Sequence, residues 1–416
     1  MKHFLFACAM ALSTSLSATD RFVDPALGSG NGTTYFGTIS AAVTAAVDGD
    51  RILIVSGNYA EPTLVLNKSL TLLAQTAGGV INFNGNITVV GAPSMKLQVL
   101  GFNLGVYSFT GNAITSGSAT SRAKISLIEC LAAAITFDQD YYEANLMRCV
   151  TSGNTTIRYG NVVSSKMGNL YVNDEPLNNQ NGRILIANDT VIGRINFLHD
   201  DYTMNIYNSL LKDLYLWKWN NSTTYTNKIL NNEFAAGCIF HIPFVGVPAY
   251  NFDISNNLFA GSINYYAGGD PGPSSGCGFN ACSGNQWNYA SNDECCSYWN
   301  TTASSSPNPA VSGFFKWTYN GVDLPVTAPT GSQPLVFTNI QGQTAISNGG
   351  NPNHEYYDID LTVNDRGRAG GPYSILNYNP ISNPGNGKAF IFDLEIPADL
   401  FQGQAVDIKA KGYHKN

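Results

Sequence analysis

The sequence predicts an all-β solenoid, a chain wound into stacked coils around one axis, and three observations carry that expectation. A short phrase recurs from about Leu100 to Phe259, reading LIECLA at Leu127, LMRCVT at Leu146, IANDTV at Ile186, IYNSLL at Ile206, ILNNEF at Ile229 and ISNNLF at Ile254. The lead residues are 19, 40, 20, 23 and 25 positions apart, and the interval of 40 reads as two turns with a degenerate phrase near residues 167–171. Repetition at this period means units that stack on their neighbours, not one globular core. Charged residues make up only 12% of the chain while glycine reaches 41 residues, a balance that suits strands joined by tight turns. Within the phrase, apolar residues alternate with Asn, so one side of each strand can be buried while the Asn side chains serve a bend.

At the N-terminus, Lys2 and His3 precede an apolar run from Phe4 to Leu12 and a small-residue stretch ending at Ser17-Ala18. This resembles a secretory signal peptide, so residues 1–18 are set apart from the fold, and the expected location is extracellular, at the cell surface or periplasmic. No other apolar run is long enough for a membrane span. Ile39, Ala42, Val43, Ala46 and Val47 then fall at helical spacing with Thr38 placed to cap them. A helix here would cover the open first coil, and Asp48-Gly49-Asp50 would end it. Strands follow from Arg51 to Val55 and Ser69 to Leu73, and roughly nine coils lead to Tyr266. At ~4.8 Å per parallel strand the solenoid should be about 45 Å long.

Asn208, Asn231, Asn232, Asn256 and Asn257 are the expected turn ladder, because Asn tolerates the left-handed backbone and bonds to nearby main chain. Cys130 and Cys149 hold the same place in successive repeats, where they stack as small apolar residues with a bridge left open. Residues 267–309 lose the period. Cys277, Cys282, Cys295 and Cys296 crowd there as disulfide candidates with three pairings open, and the stretch reads as a stapled surface loop whose Trp287, Tyr298 and Trp299 either cover the coils, the favoured reading, or face a ligand. The solenoid domain is assigned to residues 19–376 and a C-terminal β cap to 377–416, where AFIFDLEI and AVDIKAK form a hairpin around a Pro-Gly segment. With both ends capped, a monomer is expected. Calcium is the one cofactor considered, for Asp358, Asp360, Asn364 and Asp365. That cluster lacks the calcium-loop spacing and glycine, so it is read as turn-forming, and no metal site is assigned.

Two stretches carry a family resemblance. FVDPALGSGNG, TISAAVTAAVDGDRILIVSGNYAE and LNKSLTLLA resemble the opening of secreted right-handed parallel β-helix proteins of the pectin-lyase-like kind, and YYDIDLTVNDRGRAGGPY resembles the segment that closes them. The resemblance implies a right-handed parallel β-helix and a carbohydrate-associated role. The Gly-His-Gly motif of the β-helix pectin hydrolases is absent, Arg148, Arg158 and Lys166 match no lyase signature, and pectin methylesterase motifs are missing.

The net charge of −7 argues against a general nucleic-acid partner. Eight to eleven residues past the fourth position of each phrase, one strip collects Asp138, Asp140, Arg158, His199, Asp200, Trp217, Trp219, His241, Tyr265 and Tyr266. If coils keep register, these line one side of the solenoid. Asp140 and Asp200 then lie three rungs or about 14 Å apart, beyond the ~5–9.5 Å of a glycosidase pair. His199, Asp200 and Asp201 beside Trp217 and Trp219 form the best local cluster. The histidine and acids are the candidate catalytic groups, and Trp217, Trp219, Asp138, Asp140, Arg158, His241, Tyr265 and Tyr266 the candidate substrate contacts, because aromatic rings stack on sugar faces while charged groups meet hydroxyls. The function expected is an exported protein that binds a polysaccharide, with cleavage by a lyase or hydrolase route left open. The alternative is a non-catalytic surface or adhesive protein.

Overall fold

The computed structural model describes residues 18–173 (save 77, 116 and 119), 183–198, 203–217, 226–242, 251–259 and 263–267. It also describes 297–299, 315–318, 326–327, 336–337, 350, 352, 356–358, 362–365, 367–371, 374, 390–395 and 409–413. These residues form a parallel β-helix. Each coil gives one strand to a first sheet that passes through Arg51–Ile54, Thr71–Ala74, Lys96–Leu100, Ala123–Ile128, Tyr142–Met147, Gly160–Val163, Arg183–Ala187, Thr203–Tyr207, Thr226–Leu230 and Asn251–Ser255. The opposite side of the coils belongs to a second sheet, in which Ile135–Phe137, Asn154–Ile157, Asn169–Val172, Thr190–Leu198, Leu210–Trp217, Glu233–Ile242 and Ile263–Ala267 succeed one another.

Alternation decides which residues fill the space between the sheets. In Ala123–Ile128, Ile125 and Leu127 are sealed from solvent, and Leu127 stands in register with Val99 before it and Leu146 after it, so apolar columns stack into one core. Phe83, Phe102, Phe109, Phe137, Tyr142 and Phe234 are its largest fully buried side chains among the described residues. The Tyr142 hydroxyl accepts from Gly91 N–H at 2.9 Å and donates to Asn112 O at 2.8 Å, which ties it to the chain just past the strands Asn86–Val89 and Phe109–Gly111 of two successive coils. Replacing Tyr142 by Phe orphans a buried N–H and a carbonyl, and is expected to lower unfolding free energy by about 1–3 kcal/mol in a urea titration.

The helix Ile39–Ala45 caps the first coil, packing on Asp20–Val23, Tyr35–Phe36, Arg51–Ile54 and Thr63–Leu66. Thr38 accepts from Ala41 N, the Glu61 carboxylate takes the N–H groups of Ile39 and Ser40, and Lys68 Nζ meets the carbonyls of Val43, Thr44 and Ala46. An anion at the start and a cation at the end both suit the helix dipole. The helix stops two residues earlier than the apolar pattern suggests, so Ala46 is buried as expected but Val47 is 41% exposed. The reason is Asp50, whose buried carboxylate captures Val47 N–H, Thr19 N–H and Arg21 Nε. Burial pushes that carboxyl up, but these donors outweigh it and hold it below its ordinary value.

The recurring phrase folds into the bend between the sheets, and its third and fourth residues divide the work. The third residues Glu129, Arg148, Ser164, Asn188, Asn208, Asn231 and Asn256 all have positive φ, between 49° and 61°. Their N–H groups reach the next rung, as from Asn188 N to Tyr207 O at 3.0 Å. The fourth residues turn inward as a ladder of side-chain acceptors. Cys149 N donates to Ser165 Oγ, Ser165 N to Asp189 Oδ1, Asp189 N to Ser209 Oγ, Ser209 N to Asn232 Oδ1 and Asn232 N to Asn257 Oδ1. The ladder also corrects the placement of the degenerate phrase. It is VVSSKM at Val162, in register with Leu146 and Ile186, not a phrase within residues 167–171. Serine had replaced Asn at both turn positions, which hid it. Cys130 and Cys149 occupy the ladder's first two rungs as buried free thiols, directed at the carbonyls of Val99 and Leu127.

Beyond the last repeat, Ser297–Trp299 pairs antiparallel with Ile263–Ala267, closing that edge of the second sheet, and Phe315–Thr318 resumes the first sheet beside Asn251–Ser255. The segment around residues 356–371 lies along the asparagine bends. Asn208 donates to the carbonyls of Arg368 and Gly370, Asn231 to Asn364 and to Asp365 O, and Gly367 N to Asn256 O. Asp358 accepts from Asp365 N and Gly371 N, work suited to a turn-forming residue; Asp360 lies outside the described residues. Phe390–Glu395 and Lys409–Tyr413 pair antiparallel as the expected C-terminal hairpin. Among the described residues no helix is long and apolar enough to cross a membrane.

Candidate functional site

The outward face of the second sheet is built from residues that alternate with its buried ones. Phe137, Ile157, Val172 and Phe197 form one inward column, held by the pairings Phe137 with Ile157, Ile157 with Val172 and Val172 with Phe197. The column one residue earlier faces outward. It runs Thr88, Thr110, Thr136, Thr156, Tyr171, Asn196 and Tyr215, none of them buried. Branched hydroxyl residues fit a pleated open surface, and this stretch has no charge.

The column one residue later contains five of the ten residues of the strip. Asp138, Arg158 and Asn173 follow directly on Phe137, Ile157 and Val172, and all three are half-buried. Leu198 then pairs with Trp217, Trp217 with His241 and His241 with Tyr266. On seven successive rungs this column therefore reads Asp138, Arg158, Asn173, Leu198, Trp217, His241 and Tyr266. Tyr265 does not join them. It pairs with Phe240, in register with Leu216 and Phe197, one residue before the line of Trp217, His241 and Tyr266.

Asp140, two residues past Asp138, bonds back to the next coil, with its Oδ1 2.5 Å from Arg158 Nη1. Both side chains keep solvent contact, so the pair contributes less than about 1 kcal/mol to stability and chiefly fixes the guanidinium in place. Asp138 accepts from Gln139 Nε2 at 3.1 Å. Arg194 stands over the Tyr215 ring, 5.9 Å from its centre, beside the outward column.

No protein-family model, curated protein or solved structure matches this chain. The site is therefore read from its own residues. His199, Asp200, Asp201 and Trp219 lie outside the described residues, as do Trp287, Cys277, Cys282, Cys295 and Cys296. The strand Thr190–Leu198 ends one residue before His199, and three rungs separate it from Ile135–Phe137, the spacing expected between Asp140 and Asp200. Among the described residues no group of three or more His, Cys, Asp or Glu side chains is placed to hold a metal ion.

Two features of the surface were not singled out in the sequence. The threonine column is scattered through phrases of different spelling, and only the register reveals it. Glu129 and Arg148 were visible as the third residues of LIECLA and LMRCVT, where later phrases carry Asn. A charged residue at that left-handed position costs roughly 1–2 kcal/mol relative to glycine and was the signal to follow.

Proposed function

We propose that this protein is an exported carbohydrate-binding β-helix of the pectin-lyase-like kind, and that its ligand is a polysaccharide lying along the second sheet's outward face, parallel to the solenoid axis. The observation that carries the reading is that Asp138, Arg158, Trp217, His241 and Tyr266 fall in one column over seven rungs, with Asn173 and Leu198 between Arg158 and Trp217, beside the Thr88-to-Tyr215 column. Rungs repeat at ~4.8 Å, so groups on this face recur at a step suited to a chain of similar units. Hydroxyl and amide side chains exchange hydrogen bonds with sugar hydroxyls, and aromatic residues supply the apolar platform on which ring faces stack. Export follows from the apolar N-terminal segment read as a signal peptide, and four cysteines between positions 277 and 296 of the sequence suit an oxidising compartment.

Binding and cleavage are separable. The purified protein should be retarded in affinity gels containing one of pectin, alginate, a glycosaminoglycan or a neutral glycan, and Trp217→Ala should reduce that retardation at least tenfold. Release of unsaturated, ultraviolet-absorbing products would assign a lyase, and new reducing ends a hydrolase. Retardation without either product assigns a binding module, the outcome favoured by the uncharged threonine column. Absence of retardation on every glycan contradicts the reading and favours the adhesive alternative.

A further inference from the structure

A cleft of about 330 Å³ opens at the bend between the sheets, on the early rungs and away from the strip. Its apolar wall is Val80, Leu131 and Val150, and its polar end is Asn103 with the Glu129–Arg148 pair. The volume lies at the lower limit of small-molecule sites, about 300–1,000 Å³. Two of its lining glycines are required by the backbone: Gly79 packs so closely that a Cβ would strike Ser56 Oγ, and Gly101 holds the same bend position as Glu129 with φ of 71°.

The polar end is built, not incidental. The bend column holds Gly101, then Glu129 and Arg148, then Ser164 and four asparagines, so the only long charged side chains in it are the two at this cleft. Arg148 is 8% exposed, and its Nε lies 3.2 Å from Glu129 Oε1. Left-handed backbone is adopted by long side chains only where the surroundings compel it, and such positions gather at functional sites. Since the two charges neutralise one another, the cleft has no net attraction for an ion. Its fixed donors and acceptors face an apolar wall across a space that takes one six-membered ring.

We propose that this cleft binds a neutral sugar ring, with the ring's apolar face on Val80, Leu131 and Val150 and its hydroxyls on Arg148, Glu129 and Asn103. The choice of a sugar rests on the glycan reading above; the site itself is separate from the Trp217 column.

Ligand-observed saturation-transfer NMR with the full chain tests it, using galactose and glucose as neutral probes, galacturonate as the charged probe and cyclohexanol as an apolar ring. The expected result is transfer to a neutral hexose, at least fivefold weaker for galacturonate and cyclohexanol. Val80 and Leu131 are 49% and 38% exposed, so Val80→Trp and Leu131→Trp can fill the cleft from its rim without entering the core. Each should abolish the hexose signal with an unchanged unfolding temperature and unchanged polysaccharide retardation. Trp217→Ala should leave the hexose signal intact. Equal hexose signals in wild type and both rim variants would overturn the proposal, as would no hexose signal, or stronger transfer to galacturonate or to cyclohexanol. Loss of the hexose signal on Trp217→Ala would also overturn it, by moving the site to the column.

Discussion

Replacing Asn232 by Leu should destabilise the solenoid by about 4 kcal/mol or more, the sum expected when several buried polar groups lose their partners at about 1–3 kcal/mol each. Asn232 is fully buried and works in both directions along the axis. Its Oδ1 accepts from Ser209 N at 2.9 Å, while its Nδ2 donates to Ile206 O at 2.9 Å and Leu230 O at 3.1 Å. Leucine keeps the branching at Cγ but restores none of these bonds. Because a solenoid's stability is carried by nearest-neighbour interfaces, the loss should weaken the coils on both sides. Urea unfolding should show a lower midpoint, and hydrogen exchange should speed up first at Ser209 and Asn257. Asn232→Ser should recover part of the loss, since Ser165 and Ser209 do the same work on other rungs through Oγ. An unchanged midpoint in Asn232→Leu would mean that the ladder does not hold the rungs.

Arg368→Met should cost about 3–5 kcal/mol at neutral pH, as expected when a buried charge loses its partner. Arg368 is 7% exposed in the segment laid over the asparagine bends. Its backbone N–H meets Glu233 Oε1 at 3.3 Å, and its positive charge acts on both Glu233 and Asp189. Glu233 keeps an accessible edge, yet its carboxyl group is enclosed beneath the segment, and Asp189 is fully buried. Burial raises both carboxyl groups, Asp189 well above its ordinary value, and Arg368 pulls them partly back. A folded state that holds its protons more tightly than the unfolded chain is favoured below the ordinary carboxylate range. That contribution is lost as pH rises from there through the raised folded values. Removing Arg368 raises the folded values further, so the variant's deficit should be small in acid and grow toward neutrality. Melting temperatures of wild type and variant from pH 4 to 8 check this, and parallel curves would contradict it.

The same residues show what could be read before the fold was in view. The coil period was legible because Ile229 and Ile254 lead phrases of almost one spelling. The division between Asn231, which bends the chain, and Asn232, which ties the rungs, was not, since both are Asn and only φ and hydrogen bonding separate them. The coil at Val162 escaped because Ser164 and Ser165 satisfy the same geometry with a different side chain. In the candidate site, the register puts Trp217, His241 and Tyr266 on one line and Tyr265 on the neighbouring one, a one-residue distinction that counting from the phrase does not resolve. Arg368 was seen only as part of a closing motif. Its partners lie more than 130 residues away, a separation that no local pattern encodes.

The central claim, that one face presents a repeating surface to a polymer along the axis, is tested most directly by binding as a function of ligand length. Calorimetric titration with a size-graded oligosaccharide series, taken from whichever glycan retards the protein, should show affinity increasing with each added unit. The increase should stop when the ligand spans the rungs from Asp138 to Tyr266, about 29 Å at ~4.8 Å per rung, and Trp217→Ala should flatten it. Affinity that is full for a disaccharide and constant thereafter, or a length series unaltered by Trp217→Ala, would contradict the account.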